Sequence, residues 1–506
     1  MSLKPYFPRT PGHEDEAALV WPGGSISWRV FEDRVARVAN GLAAAGLGPE
    51  DRIAVMAGNI PQFVELMAGC MRAGVMLVPI NWHLTQAEAT YILTDSAARM
   101  AFADGANAAI LREAAKDAGV TSVQVFDDGY EAWRDAQPLE EPGNERAGGP
   151  MFYTSGTTGR PKGVWRPTYQ ISTTEALDNW HEAGGMWGFD GPGRHLVSTP
   201  MYHAAPYACI MFALAHGQTI YVQPRFDPEG FLADVERYGI NTCHIVPTQM
   251  IRLLRLPEAA RAAHDLSSLT QVFHGAAPCP PWVKRAMIDW FGPVIIEYFA
   301  SSEGAGPVIA TSETWLAKPG TVGRCPPEIE ITVVGEDGED LPPGAVGTFY
   351  FRRIGRPPPT YHNAPEKTAK SQLPDGRFTV GDVGWIDEEG FVFLSDRKID
   401  MIISGGANIY PAEVEAALSA HLEVADCAVF GVPDPEWGEQ VKAVIQRVPG
   451  SLIDEAALIS WCRERIAAYK CPKSIDFRED MPREASGKLK KRLLREPYWA
   501  DQSERI

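Results

Sequence analysis

At 506 residues, with 45% hydrophobic and 22% charged positions, the chain has the balance of a soluble globular protein and enough length for several structural units. Its 47 basic and 65 acidic residues leave a formal net charge of -18, which argues against a broad nucleic-acid-binding face. The most apolar stretches are Phe63–Trp82, broken by Glu65 and Arg72, and the short Pro206–Ala215, so no transmembrane segment is expected. Met1–His13 is polar and proline-bearing, unlike a signal peptide, and the cytoplasm is the expected location. The eight cysteines form no CxxC pair and no zinc-spaced cluster with histidine, which reads as reduced, mostly buried thiols.

In chain order, Ser27 is positioned to cap a helix whose apolar residues Phe31, Val35, Val38 and Leu42 recur at helical spacing and end near Gly46. Arg52–Ala57 follows as a short buried strand. Phe231, Val235 and Tyr238 mark a second helix face, with Thr242–Val246 as the next strand. Helices alternating with short apolar strands predict an α/β fold of layered, mostly parallel sheets. Towards the C-terminus, Pro411 stands where a first helical residue belongs. Val424–Val432 and Val441–Val448 read as strands and Asp454–Tyr469 as a helix. These outline a large unit over 1–395 and a small α+β unit over 396–506.

The most informative segment is Tyr153–Val164, YTSGTTGRPKGV. It sets Thr154, Ser155, Thr157 and Thr158 among Gly156, Gly159 and Gly163, with Lys162 close behind. Glycines let backbone N–H groups approach phosphate oxygens, hydroxyls add hydrogen bonds, and the lysine adds positive charge. Five residues after Gly156 comes Pro161, so the spacing of a Walker A loop fails. No GxSxG of a serine hydrolase is present.

YTSGTTGRPKG resembles the phosphate loop of the adenylate-forming superfamily, which includes acyl-CoA synthetases. Four more segments resemble that family in its own order: EYFASSEG (297–304), VGDVGW (380–385), SDRKIDMIISGG (395–406) and MPREASGK (481–488). The resemblance runs from about Ile26 to Leu494. It implies ATP, Mg2+ and coenzyme A as cosubstrates and cofactor, a small-molecule carboxylic acid as the other partner, and a C-terminal unit that rotates between two half-reactions. A homodimer is left open.

By the same resemblance, Thr154 to Lys162 hold the β- and γ-phosphates. Glu303 helps bind magnesium, a hard cation suited to carboxylate and phosphate oxygens, and Ser302 contacts phosphate. Gly275, Ala276, Ala277 and Pro278, together with Tyr298 and Phe299, frame the adenine. Asp382 takes the ribose hydroxyls, with Arg397 nearby and Asn408 reaching the same nucleotide. Lys488 offsets the repulsion when a carboxylate attacks the α-phosphate. Gly405 and Gly406 line a pantetheine tunnel, His203 stands at its junction with the acid pocket, and Trp437, Tyr469 and Lys473 contact the CoA nucleotide.

Tyr207, Phe212, Val246, His274, Ala300 and Ser301 are the candidate pocket walls, largely apolar. Met201–Met211 holds no acid to pair with an α-ammonium, so an α-amino acid substrate is not expected. The expected activity is therefore ATP-dependent ligation of an apolar acid (medium-chain, branched, aryl or alicyclic) to CoA. Loading of a separate carrier protein and a non-catalytic binding relative are the alternatives. Two departures from the family pattern stand out: the hinge position is Ile399 rather than a charged residue, and Ala300 replaces the glycine of the aromatic-Gly motif.

Overall fold

The computed structural model describes residues 6–7, 12–143, 145–154, 161–165, 171–397, 400–405, 407–483 and 489–499, with Trp165, Asp396 and Arg397 described by backbone alone. An eight-stranded sheet dominates the N-terminal part. Its spatial order is Val308–Thr311, Ile295–Phe299, Gln271–His274, Thr242–Ile245, Arg194–Val197, Thr219–Val222, Ala17–Trp21 and Gly24–Ser27. The six inner strands are parallel and the two edge strands antiparallel to their neighbours. A second, all-parallel sheet orders Met76–Pro79, Arg52–Met56, Met100–Ala103 and Ser122–Val125. Parallel strands buried on both faces explain why these segments are nearly continuous apolar runs.

The first helix runs Trp28–Ala44, with the Ser27 side chain accepting from the Val30 N–H, and its stripe of Phe31, Val35, Val38 and Leu42 is fully buried. Helix Pro228–Tyr238 precedes strand Thr242–Ile245, as the spacing anticipates. All eight cysteines are free thiols, six of them buried.

The C-terminal sheet is built on an antiparallel hairpin, Val424–Asp434 with Gly438–Arg447, longer at both strands than the apolar runs suggest. Ser474–Arg478 adds in parallel, and the short strands Ile402–Ser404 and Ala407–Ile409 complete it. It has its own apolar core, including Val414, Leu418, Val429, Ile445 and Leu458. Helix Pro411–Ser419 opens as expected, but the later helix stops at Arg463 rather than Tyr469. Ile466 turns back onto the core that Leu458 and Cys462 already occupy, and a 3-10 turn at Ala468–Lys470 leads into the added strand.

Contacts join this sheet to the N-terminal part. Arg255 donates to the carbonyls of Val424 and Ala425 at 2.6 and 2.7 Å, and Trp282 donates to the Ser419 hydroxyl. Among the described residues no helix is long and apolar enough to cross a membrane.

Candidate active site

In open parallel sheets, ligands bind beyond the carboxyl ends of the strands. The described motif residues gather there. Gly275–Pro278 leaves strand Gln271–His274, Ala300–Glu303 leaves strand Ile295–Phe299, and His203 caps helix Ala204–Ala215.

Lys162 and Glu303 lie far apart in the chain but meet through Tyr361. The Tyr361 hydroxyl donates to Glu303 at 3.1 Å, and its ring lies 5.2 Å from the Lys162 ammonium. Strand Thr360–Tyr361 pairs with Lys162–Trp165, which fixes this meeting through backbone hydrogen bonds. Burial lowers the Lys162 pKa, and the adjacent Lys367 lowers it further, against an opposing pull from Glu303. Two amines held side by side are relieved by an anion, and a half-buried carboxylate beside them suits a divalent cation shared with phosphate. These residues fit a Mg2+-bound polyphosphate, with Glu303 as the protein's carboxylate toward the metal. Thr154 stands in the short strand before this site, paired with Lys162. Ser155, Gly156, Thr157, Thr158 and Gly159 lie outside the described residues.

The loop after strand Gln271–His274 carries backbone strain: Ala276 has φ +66, a left-handed conformation a side chain adopts at a cost. Gly275 is there of necessity, because a Cβ would sit 2.6 Å from the Tyr298 ring. Tyr298 and Phe299, neighbours in the sequence, take opposite faces of their strand. Strand alternation turns Tyr298 into the protein interior, 4% exposed, while Phe299 stays half-buried beside Phe349 and Phe351. Ser302 and Glu303 are half-buried in the loop beyond.

Asp382, 7% exposed, begins a strand whose direct antiparallel partner at that point is Arg397. Their spacing in the sequence thus becomes juxtaposition. Gly405 occupies the turn between Ile402–Ser404 and Ala407–Ile409, with φ +56 and its N–H donating to the Trp437 carbonyl; a Cβ there would meet the Trp437 ring. Asn408 is exposed one residue beyond the turn's exit. Trp437, Tyr469 and Lys473 are all exposed. Gly406, Ile399 and Lys488 lie outside the described residues. Leu489 bridges Arg483 just after position 488, and Lys490 comes close enough to His83 to act with burial in lowering that pKa.

The expected pocket residues divide. Tyr207 and Phe212, on helix Ala204–Ala215, face an aromatic interior shared with Trp187, Phe273 and Tyr298. His203, half-buried, caps this helix, with its ring against Tyr202. Val246 is buried where the next strand passes into helix Pro247–Leu254, and Ala300 and Ser301 are half-buried. His274 points to the other sheet face, by the register that sets it beside Ile245 and Glu297. It is fully buried, neither ring nitrogen has a hydrogen-bond partner among the described residues, and burial with the nearby Lys284 holds it neutral.

Two features near the motif residues have no counterpart in sequence reasoning. Tyr361 and Lys367 sit in no motif and reach Lys162 only in the folded chain, Tyr361 through strand pairing and Lys367 from helix Pro365–Lys370 just after it. The buried chain Thr199–His244–Tyr298 likewise has no linear signal: Thr199 Oγ1 lies 3.0 Å from His244 Nδ1, and His244 Nε2 lies 2.9 Å from the Tyr298 hydroxyl.

Residues 8–355 match the family of AMP-binding enzymes, and 413–488 match the AMP-binding enzyme C-terminal domain. The chain belongs to the AMP-binding enzyme family. It is 35% identical over 482 residues to a feruloyl-CoA synthase of Amycolatopsis sp, covering 94% of each chain. It is 30% identical to the fatty acid–[acyl-carrier-protein] ligase ScoC of Streptomyces coeruleorubidus, covering 97% of this chain and 95% of that one. The structure of ATP-bound MatB from Rhodopseudomonas palustris superposes with a TM-score of 0.85 at 28% identity, covering all of both chains.

Proposed function

We infer that this protein is an AMP-forming carboxylic acid–CoA ligase acting on an apolar acid. The observation that carries the reading is the convergence of Lys162, Lys367, Glu303 and Tyr361 on one anion-binding corner. In the first half-reaction a carboxylate oxygen of the acid bonds to the α-phosphorus of ATP and pyrophosphate leaves. Lys162 and Lys367 hold the departing phosphates, and Lys488 bridges the two approaching anions. Mg2+, when bound, supplies charge neutralisation on the phosphates, with Glu303 toward it. In the second, the thiolate of CoA bonds to the acyl carbon and AMP leaves, yielding a thioester.

We divide the chain at about 395/396, at the end of strand Val392–Arg397, so that the C-terminal unit carries Lys488 and rotates between the two steps. It opens the way past Gly405 and Gly406, with His203 at the junction and Trp437, Tyr469 and Lys473 toward the CoA nucleotide. Met201–Met211 offers no carboxylate to an α-ammonium, which supports an acid without an α-amino group. We place the protein in the cytoplasm, as a monomer or a homodimer.

The test is acid-dependent release of pyrophosphate and formation of acyl-CoA across a panel of acids. Lys488→Ala is expected to weaken adenylation by roughly 10²–10³-fold, as loss of one transition-state contact does. An unchanged pyrophosphate rate in that variant counts against the mechanism. Likeness to the carrier-protein ligase favours one second reading, acyl transfer to a separate carrier. Pyrophosphate release with no thioester to free CoA, but with loading of a carrier protein, would establish it instead.

A further inference from the structure

We propose that Asp95 is a positioning residue for the pyrophosphate end of ATP, because it ties together the two outer strands of the small sheet that carries Lys162. The inference rests on the ligase reading above and adds to it a residue outside every motif.

That sheet is three strands wide, in the order Thr360–Tyr361, Lys162–Trp165 and Tyr153–Thr154. Lys162 stands on the middle strand, so its place depends on the two beside it. Both are tied to Asp95. From one side the Tyr153 hydroxyl donates to the Asp95 carboxylate at 2.7 Å. From the other, His362 Nε2 and the Asn363 side-chain amide, which follow Tyr361, donate to the Asp95 main-chain carbonyl at 3.1 and 3.3 Å.

Asp95 is the last residue of helix Gln86–Asp95. A carboxylate there faces the negative end of the helix dipole, and a carbonyl there has no partner within the helix. Tyr153 answers the first and the pair 362–363 answers the second. Asn363 is held at φ +51, a left-handed conformation that persists only where the surroundings fix it. Gly163, opposite Tyr153, gives the ring its room: a Cβ there would lie 3.1 Å from it, and the Gly163 carbonyl accepts from the His362 N–H at 2.8 Å. Removing the carboxylate frees Tyr153, and with it the strand from which the hydroxyl-rich segment after Thr154 departs. Lys162 then loses its fixed relation to Glu303, which it reaches through Tyr361. AMP lacks the two phosphates assigned to Lys162 and Lys367, so it reports on the rest of the nucleotide site alone.

Equilibrium binding of Mg-ATP and of AMP, measured by calorimetry on the full chain, reads the clamp directly. Asp95→Ala and Tyr153→Phe should each weaken Mg-ATP by about 10-fold, within what a displaced positioning group costs, and leave AMP nearly unchanged. Asp95→Asn keeps an oxygen for the Tyr153 hydroxyl and should recover most of the ATP affinity. The acid-dependent pyrophosphate rate should fall alongside, with KM rising for ATP and not for the acid. Tyr153→Phe leaves Asp95 and the helix end untouched, and decides the matter if the alanine variant does not fold. Equal weakening of ATP and AMP overturns the proposal, as does an unchanged ATP affinity in both folded variants. Selective loss of ATP binding, with no pyrophosphate released by the intact protein for any acid, leaves the clamp in place and overturns the ligase reading. Binding of neither nucleotide by the intact protein overturns both.

Discussion

Two buried polar clusters sit back to back on the same parallel strands, and they are built on opposite rules. On the face toward helix Ala204–Ala215, Thr199, His244 and Tyr298 form a chain in which both imidazole nitrogens are used; His195 beside them reaches Thr242, which in turn donates to Gln218. On the opposite face, Lys284 and Glu297 form an ion pair of 2.6 Å, both buried, while His274 next to them has no hydrogen-bond partner among the described residues. A satisfied network fixes side-chain positions through its hydrogen bonds. A charged pair next to an unpaired ring is held by packing and electrostatics, and suits a support beneath a loop. The strained Ala276 lies just beyond it.

The contrast can be tested most forcefully at Lys284. Lys284→Ala strands the Glu297 carboxylate, whose pKa burial already raises against the pull of that lysine, and should cost about 3–5 kcal/mol in urea unfolding at neutral pH. A loss below ~1 kcal/mol would mean the pair is solvated in solution and the two faces are less different than they look.

Acid comes next. Burial depresses the pKa of His195 and His244 to about 3, from an ordinary 6.5. Below the ordinary value the unfolded chain takes up protons that the native state refuses, so stability is full above it and is lost as pH falls towards 3. At about pH 5 the loss is on the order of 2 kcal/mol for each such histidine. His244→Gln should shrink the pH-dependent loss by about that amount, and an unchanged slope between about pH 7 and 5 would contradict a neutral buried imidazole.

The smallest effect separates the faces most sharply. His244→Leu leaves Thr199 and Tyr298 without partners and should destabilise by about 1–3 kcal/mol, whereas His274→Leu removes a ring with no bonds to lose and should fall within ~1 kcal/mol of neutral, even stabilising. Equal losses in thermal unfolding of the two variants would erase the distinction.

Much of this was open to sequence reading where the signal is local. Ser27 and Pro411 announced helix starts because caps and first-turn prolines act on neighbouring backbone groups. The phosphate segment was recognisable because glycine, hydroxyl and lysine chemistry is concentrated in a dozen residues. The helix after Asp454 was overextended because its apolar spacing continues through Ile466, while the chain itself turns back to reach the same core. Which face Tyr298 and Phe299 each take is not legible in their adjacency; strand alternation sends them to opposite faces.

The sequence by itself determined the family, the two-part α/β organisation and the order of the nucleotide motifs, since each rests on short-range residue chemistry or on resemblance along the chain. Tertiary structure alone decided that Tyr361 and Lys367 join Lys162 and Glu303, that Asp382 faces Arg397 across a ladder, and that Tyr298 is tied to His244 in the interior. Those meetings depend on strand register and on which face each residue takes. A register shift of one residue would reverse every one of them without changing a letter of the motifs.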